Sequence, residues 1–413
     1  MALNRVSVGV KSLDDYRKVV GDKAIDELKE LAAPLRGARV LHLSATAYGG
    51  GVAELLSTLV PLMHDLGLDV RWDIIHGSDE FFATTKFIHN GLQGMDVPWT
   101  DHMMRTFVDQ NKYNASLLDE TFDYCVVHDP QPLAMLHFLR DSGRPRQGKW
   151  IWRCHIDPSQ AQPELWGFLL PFVLDYDATI FTLEEYARDP KLPKVTIIHP
   201  CIDPLSPKNI YLDAQTTQGI VEGFGVNSKR PTVVQISRFD PWKDPLGVIE
   251  AYRLVKAQVP DVQLVMGGSM AHDDPEGWYY YEKTVRAAGE DYDIHIFTNM
   301  QGLGNAEVNA FQRAASVVIQ KSIREGFGLT AAEAMWKERP VVVGNVGGLR
   351  LQVEDGRSGY LVNSPEECAA RVVELLSEPR KAAEMGRRAK DRVTNNFLIT
   401  HLLRNYLRLL NSF

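Results

Sequence analysis

Residues 38–44 read Ala-Arg-Val-Leu-His-Leu-Ser, and the next landmark along the chain is the glycine run Gly49-Gly50-Gly51. The first segment has the apolar and β-branched residues of a short strand. The stretch from Val52 to Leu66 has its apolar residues at helical spacing. A strand, a glycine turn and a helix in this order are typical of the start of a βαβ unit. The sequence therefore predicts a Rossmann-like sheet that begins here.

The same alternation continues along the chain. In the first half, further strands are predicted at 70–75, 122–128, 149–155, 178–182 and 195–199. In the second half, strands are predicted at 232–237, 262–267, 292–297, 316–320, 340–344 and 359–362. Two consecutive βα series of similar size predict an α/β protein with two doubly wound parallel sheets.

The segment Pro200–Pro207 separates the two series and contains three prolines in eight residues. We therefore predict an N-terminal domain at 1–205 and a C-terminal domain at 206–394. The last helix, from about 395 to 413, is expected to pack back on the first domain. Ligands of open α/β sheets bind at the carboxyl ends of the strands, so two such domains face to face predict a deep cleft between them.

The composition excludes several classes of protein. The 413 residues include 53 acidic and 45 basic ones, a net charge of −8 that gives no reason to bind nucleic acid or an anionic membrane. The first residues lack the apolar core of a signal peptide, and no stretch reaches the ~18 apolar residues of a spanning helix. Four scattered cysteines favour a reducing compartment: Cys125, Cys154, Cys201 and Cys368. A cytoplasmic protein is expected.

Two segments match the D-x-D pattern of metal-dependent sugar transferases, Asp175-Tyr-Asp177 and Asp291-Tyr-Asp293. Each precedes a predicted strand, whereas a ligand site would follow one. No histidine or cysteine spacing supports a zinc site either. We interpret both matches as accidental and expect no metal.

Two cations follow the first strand of the second half. Arg238 and Lys243 lie in the segment Gln-Ile-Ser-Arg-Phe-Asp-Pro-Trp-Lys, where a planar guanidinium and a compact ammonium suit a diphosphate. The alternative is that both are surface cations paired with Asp240 and Asp244. Their position after a strand favours the anion site.

The segment 322–336 reads Ser-Ile-Arg-Glu-Gly-Phe-Gly-Leu-Thr-Ala-Ala-Glu-Ala-Met-Trp. It predicts a glycine loop after a strand and a helix that begins near Leu329, with amides that suit phosphate or sugar hydroxyls. Glu325 in the loop and Glu333 in the helix can accept hydrogen bonds from vicinal hydroxyls. The alternative for Glu333 is a surface pair with Lys337 at i+4.

Other candidates follow strands of the first half. His155 ends one predicted strand, and His128 with Asp129 ends another. Isolated histidines are more often structural than catalytic, but two of them at strand ends in the same half make the two interpretations about equal. The glycine run 49–51 suits either a ligand or a simple tight turn, because glycine permits both.

Together, the glycine run, Arg238 with Lys243, and Glu325 with Glu333 at E-x7-E spacing resemble the retaining glycosyltransferases of family four, which have the GT-B architecture. A closer resemblance is to the trehalose glycosyltransferring synthases, which join a nucleotide-activated glucose to free glucose. The segments that carry it are 81–90, 127–132, 152–157, 237–243 and 270–277.

The resemblance implies a role for each matching position. The catalytic residues would be Arg238 and Lys243 on the diphosphate, His155 beside the anomeric carbon, and Glu325 on the donor glucose. The donor-binding residues would be Gly50, Gly51, Met300 near the base, Gly326, Phe327, Gly328, Leu329, and Glu333 on the ribose. The acceptor-binding residues would be His128, Asp129, Lys86 and Asn90.

The resemblance also implies retaining transfer without metal or cofactor, in which the leaving diphosphate takes the acceptor proton. The partners would be small sugars and a nucleotide sugar, and a homodimer is expected. Uridine, adenosine and guanosine diphosphate all fit as carrier. The first alternative is a retaining trehalose phosphorylase that uses glucose-1-phosphate and inorganic phosphate. The second is a non-catalytic sugar- or nucleotide-binding regulator on the same fold.

Overall fold

The computed structural model describes residues 2–48, 50–141, 147–270 and 275–413. Gly49 and residues 271–274 of the segment 270–277 therefore lie outside the described residues. The chain divides into two compact units, one formed by Met1–Pro200 with Ile399–Phe413 and one by Cys201–Leu398. Each unit contains its own mainly parallel sheet, which confirms the predicted α/β class with two Rossmann-like halves.

The first unit has a seven-stranded sheet with the order β1-β3-β2-β4-β5-β6-β7. Its strands are β1 (Asn4–Arg5), β2 (Arg39–Ser44), β3 (Asp69–Ile74), β4 (Tyr124–His128), β5 (Lys149–Arg153), β6 (Ala178–Phe181) and β7 (Val195–Ile197). β1 pairs antiparallel with β3, and the other neighbours are parallel. The strand order reverses between β2 and β4, so this is the switch point of the sheet.

Helices cover this sheet. They are α1 (Arg17–Val20), α2 (Asp22–Ala32), α3 (Gly51–Asp65), α4 (Asp79–Leu92), α5 (Asp101–Leu117), α6 (Met135–Asp141) and α7 (Pro163–Val173). The start of α4 is fixed by Ser78, whose hydroxyl accepts from the N–H of Phe81 at 3.1 Å. The largest buried side chains of the core around this sheet include Phe81, Phe107, Trp152 and Phe181.

The second unit has a six-stranded parallel sheet with the order β10-β9-β8-β11-β12-β13. Its strands are β8 (Thr232–Ile236), β9 (Gln263–Gly268), β10 (Ile294–Thr298), β11 (Val317–Gln320), β12 (Val341–Gly344) and β13 (Tyr360–Val362). The order reverses between β8 and β11, the switch point of this sheet. All the predicted strands of both halves occur, with ends within two residues, whereas β1 was not predicted.

The helices of the second unit are α8 (Ala214–Gly223), α9 (Pro245–Lys256), α10 (Pro275–Ala288), α11 (Asn305–Ala314), α12 (Leu329–Trp336), α13 (Gly347–Gln352), α14 (Pro365–Ser377) and α15 (Pro379–Asn396). The last helix, α16 (Ile399–Leu410), returns to the first unit and contacts α2 and α3. Its apolar residues recur at helical spacing and are buried: Ile399, Leu402, Leu403, Tyr406, Leu407 and Leu410. Within the described residues, every helix is too short or too polar to cross a membrane.

Candidate functional site

The switch point of the second unit brings two loops together. β8 leads into the loop that holds Arg238 and Lys243, and the neighbouring β11 leads into the loop that holds Glu325. Asp240 shapes the first loop, because its Oδ1 accepts from the N–H of Lys243 at 3.1 Å and caps the short 3₁₀ turn Pro241–Lys243. The carboxyl ends of adjacent parallel strands therefore place the predicted residues side by side.

The Lys243 ammonium donates a hydrogen bond to Oε2 of Glu325 across the switch point. The same oxygen accepts from the Ser322 hydroxyl at 3.1 Å. The two side chains are only 15% and 9% exposed, so water screens their attraction less than at the open surface. The structure thus joins two predicted catalytic residues that are 82 positions apart in sequence.

Gln235 of β8 ties the two loops to each other. Its side-chain amide donates to the carbonyl of Lys243 at 3.2 Å, and its Oε1 accepts from the N–H of Lys321 at 3.1 Å. The N–H of Ile323 also donates to the carbonyl of Trp242 at 2.8 Å. These bonds fix the backbone at the lysine and in the residues that precede the glutamate.

Arg238 lies at the surface of the same site, 44% exposed, with its guanidinium 3.3 Å from Oδ2 of the buried Asp240. The surface-cation alternative is therefore partly right: Arg238 contacts Asp240. Asp244, however, pairs with Lys321 instead of Lys243. Because the Arg238 guanidinium is nearly half exposed, an incoming phosphate can reach it.

The glycine loop takes the shape that its sequence predicts. Gly328 has a φ of +88° and caps α12, which begins at Leu329. A Cβ at this position would lie 2.7 Å from the Leu349 side chain, so glycine is required. The Gln352 amide donates to the carbonyls of Phe327, at 2.5 Å, and Gly328, at 3.2 Å. The loop backbone is thereby held against α13.

Glu333 occupies a different environment from the one expected of a ribose contact. Its side chain is fully buried in α12, and Oε1 lies 3.6 Å from the Lys208 ammonium. Lys337 is also buried, and it donates to the carbonyl of Glu333 at 3.1 Å, so the alternative of a surface i+4 pair is wrong. Lys208 was missed, because no motif in the sequence connects it with Glu333.

Met300 lies where the sequence placed it, just after a strand. It belongs to the 3₁₀ turn Asn299–Gln301 that follows β10, and its side chain is half exposed. The Asn299 side chain holds this turn to the loop after β9, because it accepts from the N–H of Met270 at 2.7 Å.

The switch point of the first unit holds a chain of three histidines. Nδ1 of His42 in β2 lies 3.0 Å from Nε2 of His128 at the end of β4. Nδ1 of His128 lies 3.0 Å from Nε2 of His155, just after β5. The structure therefore brings the two predicted histidines together and adds a third. No motif surrounds His42, which lies inside an apolar strand.

The surroundings keep these rings uncharged at neutral pH. Burial lowers the pKa of His42 to about 3, with a further contribution from the buried Arg153 guanidinium. Burial also lowers the pKa of His128 and of His155 well below the ordinary value. The three imidazole rings can therefore bind a hydroxyl-rich group without adding a charge of their own.

Asp129 fixes the turn between these strands. It has a φ of +64°, and its Oδ1 accepts from the N–H of His155 at 2.8 Å. Burial raises the pKa of Asp129 to about 7, although that hydrogen bond and Arg153 act in the opposite direction.

The residues predicted to bind the acceptor differ in burial and in how far their side chains already have partners. His128 is buried with both ring nitrogens facing other histidines, so its side chain cannot also bind an acceptor sugar, and that part of the prediction is corrected. Lys86 is half-buried and Asn90 buried, one turn apart on α4.

The glycine run lies at the start of α3. Gly50 caps this helix and Gly51 begins it, and the Gly50 carbonyl accepts from the N–H of Glu54 at 3.1 Å. This geometry fits a tight turn as well as a ligand loop.

The two D-x-D segments have other partners. The Asp175 carboxylate pairs with His137 and Arg140, and Asp177 accepts from the N–H of Trp150 at 2.8 Å. Asp291 and Asp293 both pair with Lys256, and Asp293 also pairs with Arg230. Within the described ranges, no group of three or more metal-ligating side chains occurs.

Comparison with known families covers most of the chain. Residues 42–188 match the family described as the trehalose synthase N-terminal domain, and residues 218–392 match glycosyl transferases group 1.

Individual relatives agree with this. The trehalose synthase of Rubrobacter xylanophilus is 52% identical, with 98% of each chain covered. The trehalose phosphorylase of Grifola frondosa is 26% identical over 87% of this chain and 55% of its own length. The fold resembles that of an α,α-trehalose-phosphate synthase (UDP-forming) from Burkholderia xenovorans, with a TM-score of 0.72, 15% identity, and coverage of 90% of this chain and 100% of that one.

Proposed function

The chain belongs to the trehalose synthase family, and from that premise we propose that it transfers glucose from a nucleoside-diphosphate glucose to free glucose, forming trehalose with retention at the anomeric carbon. At the coarser level it is a glycosyltransferase of trehalose metabolism. The donor, the acceptor, the stereochemistry and the absence of a metal requirement belong to the proposal.

One observation carries the proposal: the Lys243 ammonium on the Glu325 carboxylate at the switch point, with Arg238 beside them. In a chain with a net charge of −8, this is a local site for a doubly charged group and a polyhydroxyl group together. Lys243 and Arg238 would bind the diphosphate, and Glu325 would accept from hydroxyls of the donor glucose. Gly326, Phe327, Gly328 and Leu329 would contribute backbone groups.

The same residues suit the departure of a diphosphate. As the glycosidic bond breaks, negative charge grows on the phosphate oxygen, where two fixed cations stabilise it most in the transition state. The departing phosphate would take the proton of the acceptor hydroxyl on the same face of the sugar. Retention then needs neither a protein nucleophile nor a metal ion.

His155 would contact the transferred glucose, and Asp129, Lys86 and Asn90 would hold the acceptor. Neutral histidines fit this role, because the sugar in the transition state is oxocarbenium-like and a fixed positive charge next to it would be unfavourable. Gly50 and Gly51 would close on the sugars, and Met300 would border the base. We also propose a homodimer, which light scattering of the purified protein tests.

The direct experiment is incubation of the purified protein with UDP-glucose and glucose in the presence of EDTA. The proposal predicts trehalose and UDP in equal amounts, with the α,α linkage visible by NMR. ADP-glucose and GDP-glucose under the same conditions give the preferred carrier. If every nucleotide donor fails while the protein is folded, the proposal is wrong.

A retaining trehalose phosphorylase is the second candidate. It is favoured by the full burial of Glu333 against Lys208, because a phosphorylase needs no ribose contact. The 26% identity to the Grifola frondosa enzyme points the same way. Formation of trehalose and inorganic phosphate from glucose-1-phosphate and glucose, without turnover of any nucleotide donor, would establish this function.

A further inference from the structure

The three histidines of the first unit form a hydrogen-bonded chain in which His42 and His128 have no role in the proposed function. The two nitrogen–nitrogen distances are both 3.0 Å, and neighbouring ring centroids are 5.3 Å apart in each pair. The rings come from the end of β4, from β2 and from the residues after β5, which lie side by side in the sheet. Each of these strands therefore contributes one member.

Only two arrangements of the ring protons are possible in this row of three histidines. A neutral imidazole carries one N–H and one bare nitrogen, and each link needs one donor and one acceptor. All three rings are held neutral by burial and by Arg153. The N–H groups must therefore all point from His42 toward His155, or all point from His155 toward His42.

The buried end of the chain decides between the two arrangements. Nε2 of His42 is buried and has no hydrogen-bond partner among the described residues. If the N–H groups pointed toward His42, this nitrogen would carry an unpaired N–H in the interior, which folded proteins rarely tolerate. If they point toward His155, the buried nitrogen is bare and each link is satisfied.

We propose that His42 and His128 are positioning residues that hold His155 as its Nδ1–H tautomer, so that Nδ1 of His155 donates a hydrogen bond to a hydroxyl oxygen of the transferred sugar. The donor role on the sugar rests on the proposed function, whereas the tautomer itself does not. The hydrogen bond between Nδ1 of His128 and Nε2 of His155 also fixes the orientation of the His155 ring.

The deep end of the chain is locked in place by packing. The Tyr406 ring lies edge-on to His42 at a centroid distance of 5.8 Å, and its hydroxyl accepts from the Arg153 guanidinium at 2.9 Å. Arg153 is itself buried. The Tyr406 ring therefore packs against the His42 ring, and Nδ1 of His42 stays directed at His128.

The tautomer is tested by NMR of the full chain labelled with ¹⁵N-histidine, at pH 7.5 without substrate. The chemical shifts of ring nitrogens separate N–H from bare positions. We expect Nδ1 protonated and Nε2 bare in His155, and the same pattern in His128. Protonated Nε2 in His155, or a mixture of tautomers, would overturn the proposal whether or not the protein makes trehalose.

Two substitutions at His42 test the consequence for turnover. His42→Asn keeps an amide donor near the position of Nδ1, whereas His42→Phe keeps the ring shape and removes the donor. We expect His42→Phe to lower kcat by about tenfold, the scale of one lost hydrogen bond in the active state, with KM for UDP-glucose within about twofold. His42→Asn should restore most of kcat and the His155 tautomer.

His64→Phe, at the exposed end of α3, is the matched control for a histidine-to-phenylalanine change and should leave kcat and the His155 signals unchanged. Equal losses in His42→Asn and His42→Phe, with the His155 tautomer unchanged in both, would overturn the positioning role. If the wild-type tautomer is as expected but no sugar transfer occurs with any donor, the tautomer assignment stands and the proposed function fails.

Discussion

The two switch points share a topology and differ in electrostatics. In the second unit, Lys243, Glu325 and Arg238 place formal charges at the adjoining ends of β8 and β11. In the first unit, the interior of β2, the end of β4 and the loop after β5 carry imidazole rings whose pKa values lie below the ordinary value because they are buried. The same fold therefore offers one site of charged side chains and one of neutral imidazole rings.

This difference shows what the fold determines and what the side chains determine. Strand order fixes where a site forms, because parallel strands end together at the reversal point. The side chains decide the ligand: opposite charges suit a diphosphate sugar, and neutral rings suit the reacting sugar, where a fixed charge would be costly.

Lys243→Ala should have the largest effect. It removes the cation that we propose binds the diphosphate and takes the ammonium away from the Glu325 carboxylate, so kcat/KM for UDP-glucose should fall by about 10²–10³-fold, the usual cost of one transition-state contact. Steady-state kinetics measures this. Lys229→Ala at an exposed position is the control and should keep wild-type kinetics. Less than a threefold loss at Lys243 would remove the diphosphate assignment.

Glu333→Gln should have an intermediate effect if the nucleotide is the true carrier. The change removes the negative charge near Lys208 and keeps the shape of the buried side chain. If Glu333 accepts from a ribose hydroxyl of the bound donor, KM for UDP-glucose should rise by about tenfold through loss of that charged hydrogen bond. Glu384→Gln on the exposed face of α15 serves as the matched control. An unchanged KM, with thermal unfolding also unchanged, would instead favour the phosphorylase.

Asp129→Asn should have the smallest effect, and it should appear in stability. The pKa of Asp129 is about 7 in the folded protein, against about 3.9 when unfolded. Between these values the folded state binds the extra proton, so this group's contribution to stability is present at low pH and is lost as pH rises from about 4 to about 7.

Asparagine tolerates the positive φ and can still accept from the N–H of His155. Scanning calorimetry should therefore show that the Tm of Asp129→Asn, relative to the Tm of the wild type, rises between pH 5 and pH 8. The same Tm difference at both pH values would mean that this carboxyl is ordinary.

Much of the architecture was predictable because its signals are local. Apolar runs followed by turns and helices predicted all but one of the strands. The glycine loop before α12 predicted that this helix begins at Leu329. β1 was missed because two residues, Asn4 and Arg5, have no periodic pattern and are defined by pairing with β3.

The sites were harder to predict because they depend on strand order. Lys243 and Glu325 were linked through resemblance, but their contact follows from the adjacency of β8 and β11. His42 was invisible because a lone histidine in an apolar strand carries no motif until β4 is placed next to β2. Lys208 and the burial of Glu333 likewise arise from packing, which residue spacing does not encode.

The most direct test of the charged and neutral division is calorimetric titration of UDP into the wild-type protein, Lys243→Gln and His155→Gln, in EDTA and at fixed ionic strength. We predict that Lys243→Gln weakens UDP binding by at least about tenfold, through the lost charged contact, while His155→Gln keeps the wild-type Kd within about twofold. Equal weakening in both variants, or none in Lys243→Gln, would contradict the assignment of the diphosphate to the second unit's switch point.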